Sequence, residues 1–287
     1  MNEHDYALFV SRVKQKTGID LTQYKEKQMK RRLTTLRNKN RFHTFADFFD
    51  AISRNEQLYN EFMDRLTINV TEFWRNPDRW KVLEERIIPQ LIRTSGRLKV
   101  WSAACSTGEE PYTLAMILAE QGALNRTELL ATDLDENALA KAREGRYPER
   151  AIRDVPDRYL QSYFHEELGQ YRISADLKRS VSFRRHNLLA DRFEMNFDLI
   201  VCRNVMIYFT DTAKHELYGK FAASLKPGGF LFVGSSEQIF SPKQYGLESA
   251  ETFFYRKTAD IPPQKRISAS INCNTENTAN KVEVDYG

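Results

Sequence analysis

The residues of this chain best placed to do chemistry fall in three short runs. WSAACSTGEEPYTLAM (101–116) sets the adjacent carboxylates Glu109 and Glu110 where an apolar run gives way to a helical pattern. LLATDLD (129–135) delivers Asp133 at the end of a second apolar run, and FDLIVCRNVMIYF (197–209) leads straight into Arg203, Asn204 and Tyr208. Carboxylates can take hydroxyl hydrogen bonds and pair with a cation, and the small residues from Ala103 to Gly108 let a ligand come close to the backbone. An acidic residue after a second strand commonly holds ribose hydroxyls, so the first two runs together favour an adenosine-type ligand. Gly108 is the one glycine in that loop, so the G-x-G-x-x-G fingerprint fails, which weighs against a pyrophosphate cofactor. Ser106 with Glu109, or Thr107 with Glu110, would make a capping box. The spacing leaves open which glutamate is structural and which faces a ligand.

These residues need strand ends to carry them. Residues 99–103 and 128–131 read as short buried strands, and Pro111, Leu114, Met116, Ile117 and Leu118 as a packed helix. Asp133 is expected just past the second strand, and 197–209 as a strand running into its polar pair. Ligands in open α/β sheets bind outside the carboxyl ends of strands, where all three runs would meet. A helix over 212–225, a KPGG turn at 226–229, a strand at 230–234 and a last strand at 252–256 complete the pattern. Their order resembles a class I methyltransferase sheet, Rossmann-like and mostly parallel, whose last strand enters antiparallel.

Ahead of it, residues 1–68 read as a small all-α domain. Tyr6, Phe9, Val10 and Val13 form one stripe, Met29, Leu33 and Leu36 a second, Phe45, Phe48, Phe49 and Ile52 a third, and Leu58, Phe62 and Leu66 a fourth. This part carries 13 Lys and Arg against 9 Asp and Glu, which accounts for the formal charge of +4. The excess is concentrated in Lys25, Lys27, Lys30, Arg31, Arg32, Arg37, Lys39 and Arg41, with Glu26 as the single acid. Lys27 and Arg31 should project opposite the Met29 stripe, giving a charged face open to a partner. Clustered basic residues also suit nucleic acid.

At 287 residues and 41% hydrophobic content the chain can build one large or two modest domains without staples. Cys105, Cys202 and Cys273 show no paired or metal-ligand spacing, and no apolar stretch approaches a membrane span. The start, MNEHDYALF, lacks a signal-peptide pattern. A cytoplasmic location is expected. His4, His43, His165, His186 and His215 are scattered, and His186 reads as incidental.

INVTEFWRN, VWSAACSTGEEPYTLA, ATDLDENALAKAREGRY, HNLL and CRNVMIYF occur in this order, and on them residues 5–257 closely resemble the chemotaxis receptor methyltransferases, the CheR family. The resemblance implies a protein-glutamate O-methyltransferase that moves a methyl group from S-adenosylmethionine to glutamates of chemoreceptors, leaving S-adenosylhomocysteine and a methyl ester. It implies no metal, no nucleic acid, no membrane insertion, and recruitment to membrane receptor arrays. It further implies an all-α domain (1–68) facing the receptor's cytoplasmic methylation region, a linker (69–76) contributing to the site, and a methyltransferase domain (77–257). Carried over position by position, Asn69, Thr71 and Arg75 belong to the cofactor and substrate pocket. Glu110 and Asp133 hold the methionine and ribose portions, and Asn187, Leu188, Arg203 and Asn204 complete the cradle, leaving Glu109 as the capping residue. Pro77 is expected to open a helix through Trp80, Leu83 and Ile87.

A glutamate nucleophile, with an ordinary pKa of about 4.3, is already ionised at neutral pH and needs no general base. The expected catalytic residues are Arg75, whose planar fork can orient one carboxylate oxygen while the other attacks, and Tyr208, which helps position the carboxylate or cofactor. Within the catalytic part, an insertion at about 147–185 should hold a small β-subdomain, with strands at 170–173 and 180–183. In some family members that subdomain grips a receptor C-terminal tether peptide by strand addition. Residues 258–287, polar and without periodicity, read as a disordered tail. Two alternatives remain. A nucleic-acid methyltransferase would commonly carry a Pro-Pro-aromatic platform where this chain has Asn204, Val205 and Met206. A non-catalytic S-adenosylmethionine-binding adaptor would tend to lose Arg75 and Tyr208.

Overall fold

The computed structural model of the chain describes residues 3–67, 69 and 71–258. The expected tail, Thr258 apart, and Cys273 lie outside the described residues. The chain opens with helices α1 (Glu3–Thr17), α2 (Glu26–Lys39), α3 (Phe45–Arg54) and α4 (Glu56–Thr67). Their apolar stripes converge on Phe9, whose ring lies 5.0 to 6.2 Å from those of Phe45, Phe48, Phe49 and Phe62. Asp5 closes the bundle by accepting the free N–H groups of Phe45 and Ala46 at the start of α3, at 2.8 and 3.1 Å. The basic run is not all surface. Arg37 is buried against the Phe45 ring, because its turn of α2 faces α3, and Lys39 pairs with Glu61 at 2.6 Å. Lys27, Arg31 and Arg41 remain exposed.

After Asn76, helix α5 (Pro77–Val82) runs through a π-turn (Leu83–Ile87) into α6 (Ile88–Thr94). There follow β1 (Leu98–Ala103), α7 (Glu109–Glu120), β2 (Thr127–Asp133), α8 (Glu136–Glu144), β3 (Arg146–Pro148), α9 (Glu149–Ile152), α10 (Asp157–Tyr163), β4 (Phe164–Glu167), β5 (Gln170–Ile173), α11 (Ala175–Ser180), β6 (Val181–Arg185), β7 (Phe197–Cys202), α12 (Asp211–Ser224), β8 (Leu225–Val233), β9 (Leu247–Glu251) and β10 (Phe254–Lys257). The main sheet has the order β6-β2-β1-β7-β8-β10-β9, parallel from β6 to β8. Central β1 and β7 are near-continuous apolar runs because helices cover both faces. Connections leave β1 to one side and β7 to the other, opening a crevice at their carboxyl ends.

Several expected boundaries shift. Residues 181–185 form the edge of the main sheet, pairing with β2 through Leu129↔Val181, rather than part of the small subdomain. That subdomain is the antiparallel sheet β3-β5-β4. The expected last strand is the second arm of a hairpin: β10 inserts between β8 and β9, antiparallel to both. KPGG lies inside β8, where the register with β7 shifts between Phe197 and Leu199. The helix expected at 212–225 spans Asp211–Ser224, and Asp133 is the last residue of β2 rather than beyond it. Among the described residues, no helix is long and apolar enough to cross a membrane.

Candidate active site

The crevice is a cavity of about 970 Å³, part of it open to solvent, at the carboxyl ends of β1, β2 and β7. Every site residue singled out from the sequence lines it: Asn69, Thr71, Arg75, Glu110, Asp133, Asn187, Leu188, Arg203, Asn204 and Tyr208. Sequence reasoning missed Tyr24, named Ser106 only as a capping candidate in the small-residue loop, and read His186, which also lines the cavity, as incidental. His186 follows β6, and its backbone N–H donates to the Asp133 carbonyl at 2.8 Å, so main-sheet pairing brings it there. Burial pushes its imidazole pKa down. Tyr24 arrives from the helical part, with no local signal to mark it.

The loop after β1 is shaped by its backbone. Ala104 and Ser106 take positive φ (65° and 49°), and Gly108 caps α7 at φ 97°. Neither capping box forms, because the cap is Gly108 and Glu109 is already the first helical residue. The Thr107 hydroxyl instead donates to the Glu109 carboxylate, at 2.7 Å to the nearer oxygen. Burial raises the Glu109 pKa to about 7. The Glu110 carboxylate accepts the Ser102 hydroxyl at 2.8 Å and stands 3.6 Å from an Arg203 nitrogen. Burial nevertheless outweighs the arginine and pushes Glu110 up to about 7. Asp133 accepts the N–H of Ser106 at 2.7 Å and that of Asp135 at 3.0 Å, and burial raises it to about 6.

Arg203 is buried, its guanidinium 5.1 Å from the Trp80 ring centre and 4.8 Å from that of Phe232. Besides facing Glu110, it donates to the Arg75 carbonyl at 2.7 Å and to Asn76 Oδ1 at 3.1 Å, gripping the linker that carries Arg75. The other end of the linker is tied to the start of α8 and to the loop after β1. Asn69 donates to Asp135 at 2.7 Å and accepts the Ser106 hydroxyl at 3.0 Å, while Thr67 donates to Asp135 at 3.1 Å. Tyr208 lies on a 3₁₀ turn (Met206–Tyr208) after β7, and its carbonyl accepts the Lys25 N–H at 2.8 Å. Arg32 of α2 lies within electrostatic reach of Tyr208. The cavity thus brings the largely buried carboxylates of Glu110 and Asp133 together with the half-buried Arg75 and Tyr208, and Tyr24 of the helical part shares its lining.

A mostly parallel seven-stranded sheet with an antiparallel last strand, and an acid-lined crevice at its carboxyl ends, define a class I S-adenosylmethionine-dependent methyltransferase. Residues 69–254 match the family model "CheR methyltransferase, SAM binding domain", and residues 4–67 match "CheR methyltransferase, all-alpha domain". The chain belongs to the CheR family of chemotaxis methyltransferases. It is 47% identical to a chemotaxis protein methyltransferase of Listeria innocua, over 89% of this chain and 98% of that one. It is 35% identical to the proteins of that name from Borreliella burgdorferi (84% of this chain, 89% of that one) and Escherichia coli (78% and 81%).

Proposed function

We propose that this chain methylates glutamate side chains of chemoreceptors, using S-adenosylmethionine and leaving glutamate methyl esters, in the cytoplasm at membrane receptor arrays. The observation that carries the reading is the lining of this cavity, which combines the largely buried carboxylates of Glu110 and Asp133 with Arg75 and Tyr208. The donor set fits the cofactor. Glu110, buried with an upward-shifted pKa and Arg203 at 3.6 Å, gains from a ligand cation such as an α-ammonium group. Asp133 offers its remaining lone pairs to a diol, and Leu134 and Leu188 give apolar walls for a flat base. When bound, the cofactor supplies an electrophilic methyl group on a sulfonium.

Asn69, Thr71, Asn187, Arg203 and Asn204 complete the cradle in this reading. Arg203 acts mainly through others, holding Glu110 on one side and the linker on the other. Arg75 orients the incoming carboxylate by one oxygen and leaves the other to attack, while the Tyr208 hydroxyl helps position the carboxylate or the cofactor. Alignment of this kind is worth roughly 7 to 11 kcal/mol as effective molarity. Helices α1 to α4 (1–68) would face the receptor's acidic methylation region, with 69–76 as the linker and 77–257 as the catalytic domain. The edges of β3 and β4 are where a receptor C-terminal tether peptide would add.

The test is transfer of labelled methyl to receptor-containing membranes, with and without the receptor C-terminal segment, followed by mild alkali. Label released as methanol is expected from wild type, with about 100-fold less from Arg75→Ala and a smaller loss from Tyr208→Phe. Base-stable label on RNA, or cofactor binding with no acceptor, would replace this reading.

A further inference from the structure

Glu237 lies outside the residues discussed so far and does not line the cavity, yet its carboxylate is the anchor of the turn that does. It is 4% exposed, in the loop after β8. Its Oε2 accepts the backbone N–H of Asn204 at 2.7 Å and of Gly234 at 2.8 Å, and its Oε1 accepts that of Ile207 at 3.3 Å. These N–H groups lower its pKa against the upward push of burial, and the Met206 N–H acts in the same direction. Asn204, at φ 59°, is the residue whose left-handed conformation turns its N–H inward toward this acceptor. Gly234 fits the same arrangement, since a Cβ there would overlap Glu237 Oε2 and stand 2.9 Å from the Asn204 nitrogen. One buried acceptor therefore gathers backbone donors from both ends of the segment 204–207, immediately before Tyr208.

We propose that Glu237 is a positioning residue for methyl transfer, acting through the 204–208 turn to hold Tyr208 in the lining of the cavity. The role in turnover rests on the proposed function, whereas the anchoring of the turn does not. A carboxylate suits the task because it is acceptor-only at both oxygens. A glutamine would turn its NH₂ either toward Ile207 and Met206 or toward Asn204 and Gly234, setting donor against donor. An aspartate, one methylene shorter, could not reach both ends.

The experiment compares wild type, Glu237→Gln, Tyr208→Phe and the double variant in kcat, in calorimetric Kd for S-adenosylhomocysteine, and in amide hydrogen exchange. In Glu237→Gln, kcat should fall by about as much as in Tyr208→Phe and by no more, since the loss runs through that hydroxyl. At pH 8, where Glu110 is ionised with or without the Glu237 charge that raises its pKa, the Kd should change by less than about 5-fold, since Glu237 hydrogen-bonds neither Glu110 nor Asp133. In the Tyr208→Phe background the same change should cost less than about 3-fold, because the hydroxyl it positions is already gone. Exchange should accelerate at Asn204, Ile207 and Gly234 and stay slow in the strands. Multiplicative losses in the double variant, or a kcat that merely follows the folded fraction, would overturn the positioning role. Unchanged protection at those three amides would overturn the anchor itself, and that readout stands even if wild type methylates no receptor. Gly234→Ala, which displaces the same carboxylate without removing it, repeats the comparison should Glu237→Gln fail to fold.

Discussion

Glu110 shows how a single side chain can be placed at a cost that a ligand removes. Burial lifts its pKa from 4.5 to about 7, and Asp133 from 3.8 to about 6. Between the unfolded and folded values the folded chain keeps a proton that the unfolded chain has lost. Stability is therefore fully present at low pH and falls as pH rises through that window. A ligand cation beside Glu110 needs the ionised form, so affinity runs the other way. Calorimetric affinity for S-adenosylhomocysteine should rise by up to about tenfold per pH unit between pH 5.5 and 7, then level off. Glu110→Gln should flatten that profile and weaken binding at pH 8 by roughly 10- to 100-fold. A flat wild-type profile would assign the cation to another partner.

At the scale of elements, the loop between β1 and α7 decides whether the cavity exists. Gly108 takes φ 97°, and a Cβ there would lie 2.9 Å from Ala142 Cβ of α8 and 3.0 Å from the Tyr147 hydroxyl of β3. That hydroxyl in turn donates to the Thr107 carbonyl at 2.8 Å. Strain and overpacking act together, so Gly108→Ala should destabilise the chain by about 2–4 kcal/mol in urea unfolding and weaken S-adenosylhomocysteine binding as well. A variant as stable as wild type would mean that the loop relaxes freely. The sequence showed a small-residue loop here but pointed to capping boxes. It could not show that α8 and β3 press against the cap, which only the packing of distant segments creates.

Over the whole molecule, the helical part and the sheet part share one core. Tyr24 forms a bridge with Phe209, their rings 5.1 Å apart and near perpendicular, while Thr210 donates to the Gln23 carbonyl at 2.9 Å. With Tyr24 buried at this seam and lining the cavity, the two parts should melt in one calorimetric transition that S-adenosylhomocysteine raises. Tyr24→Ala should cost about 3–5 kcal/mol and lower kcat, because the seam also holds the Tyr208 carbonyl through Lys25. Separate melting of residues 3–67 would contradict the shared core.

The sequence by itself determined the helical stripes around Phe9, the buried runs of β1, β2 and β7, and the motif residues that line the cavity. Periodicity and residue type act locally, and the runs after β1, β2 and β7 lie at strand ends where chain direction brings them together, whereas Asn69, Thr71, Arg75, Asn187 and Leu188 followed from the family resemblance. The tertiary structure decided the rest: the seat of 181–185 in the main sheet, the burial of Arg37, the grip of Arg203 on the linker, and the entry of Tyr24, His186 and Glu237 into the surroundings of the site. Each depends on which distant segment packs opposite, and no spacing along one chain encodes that partner.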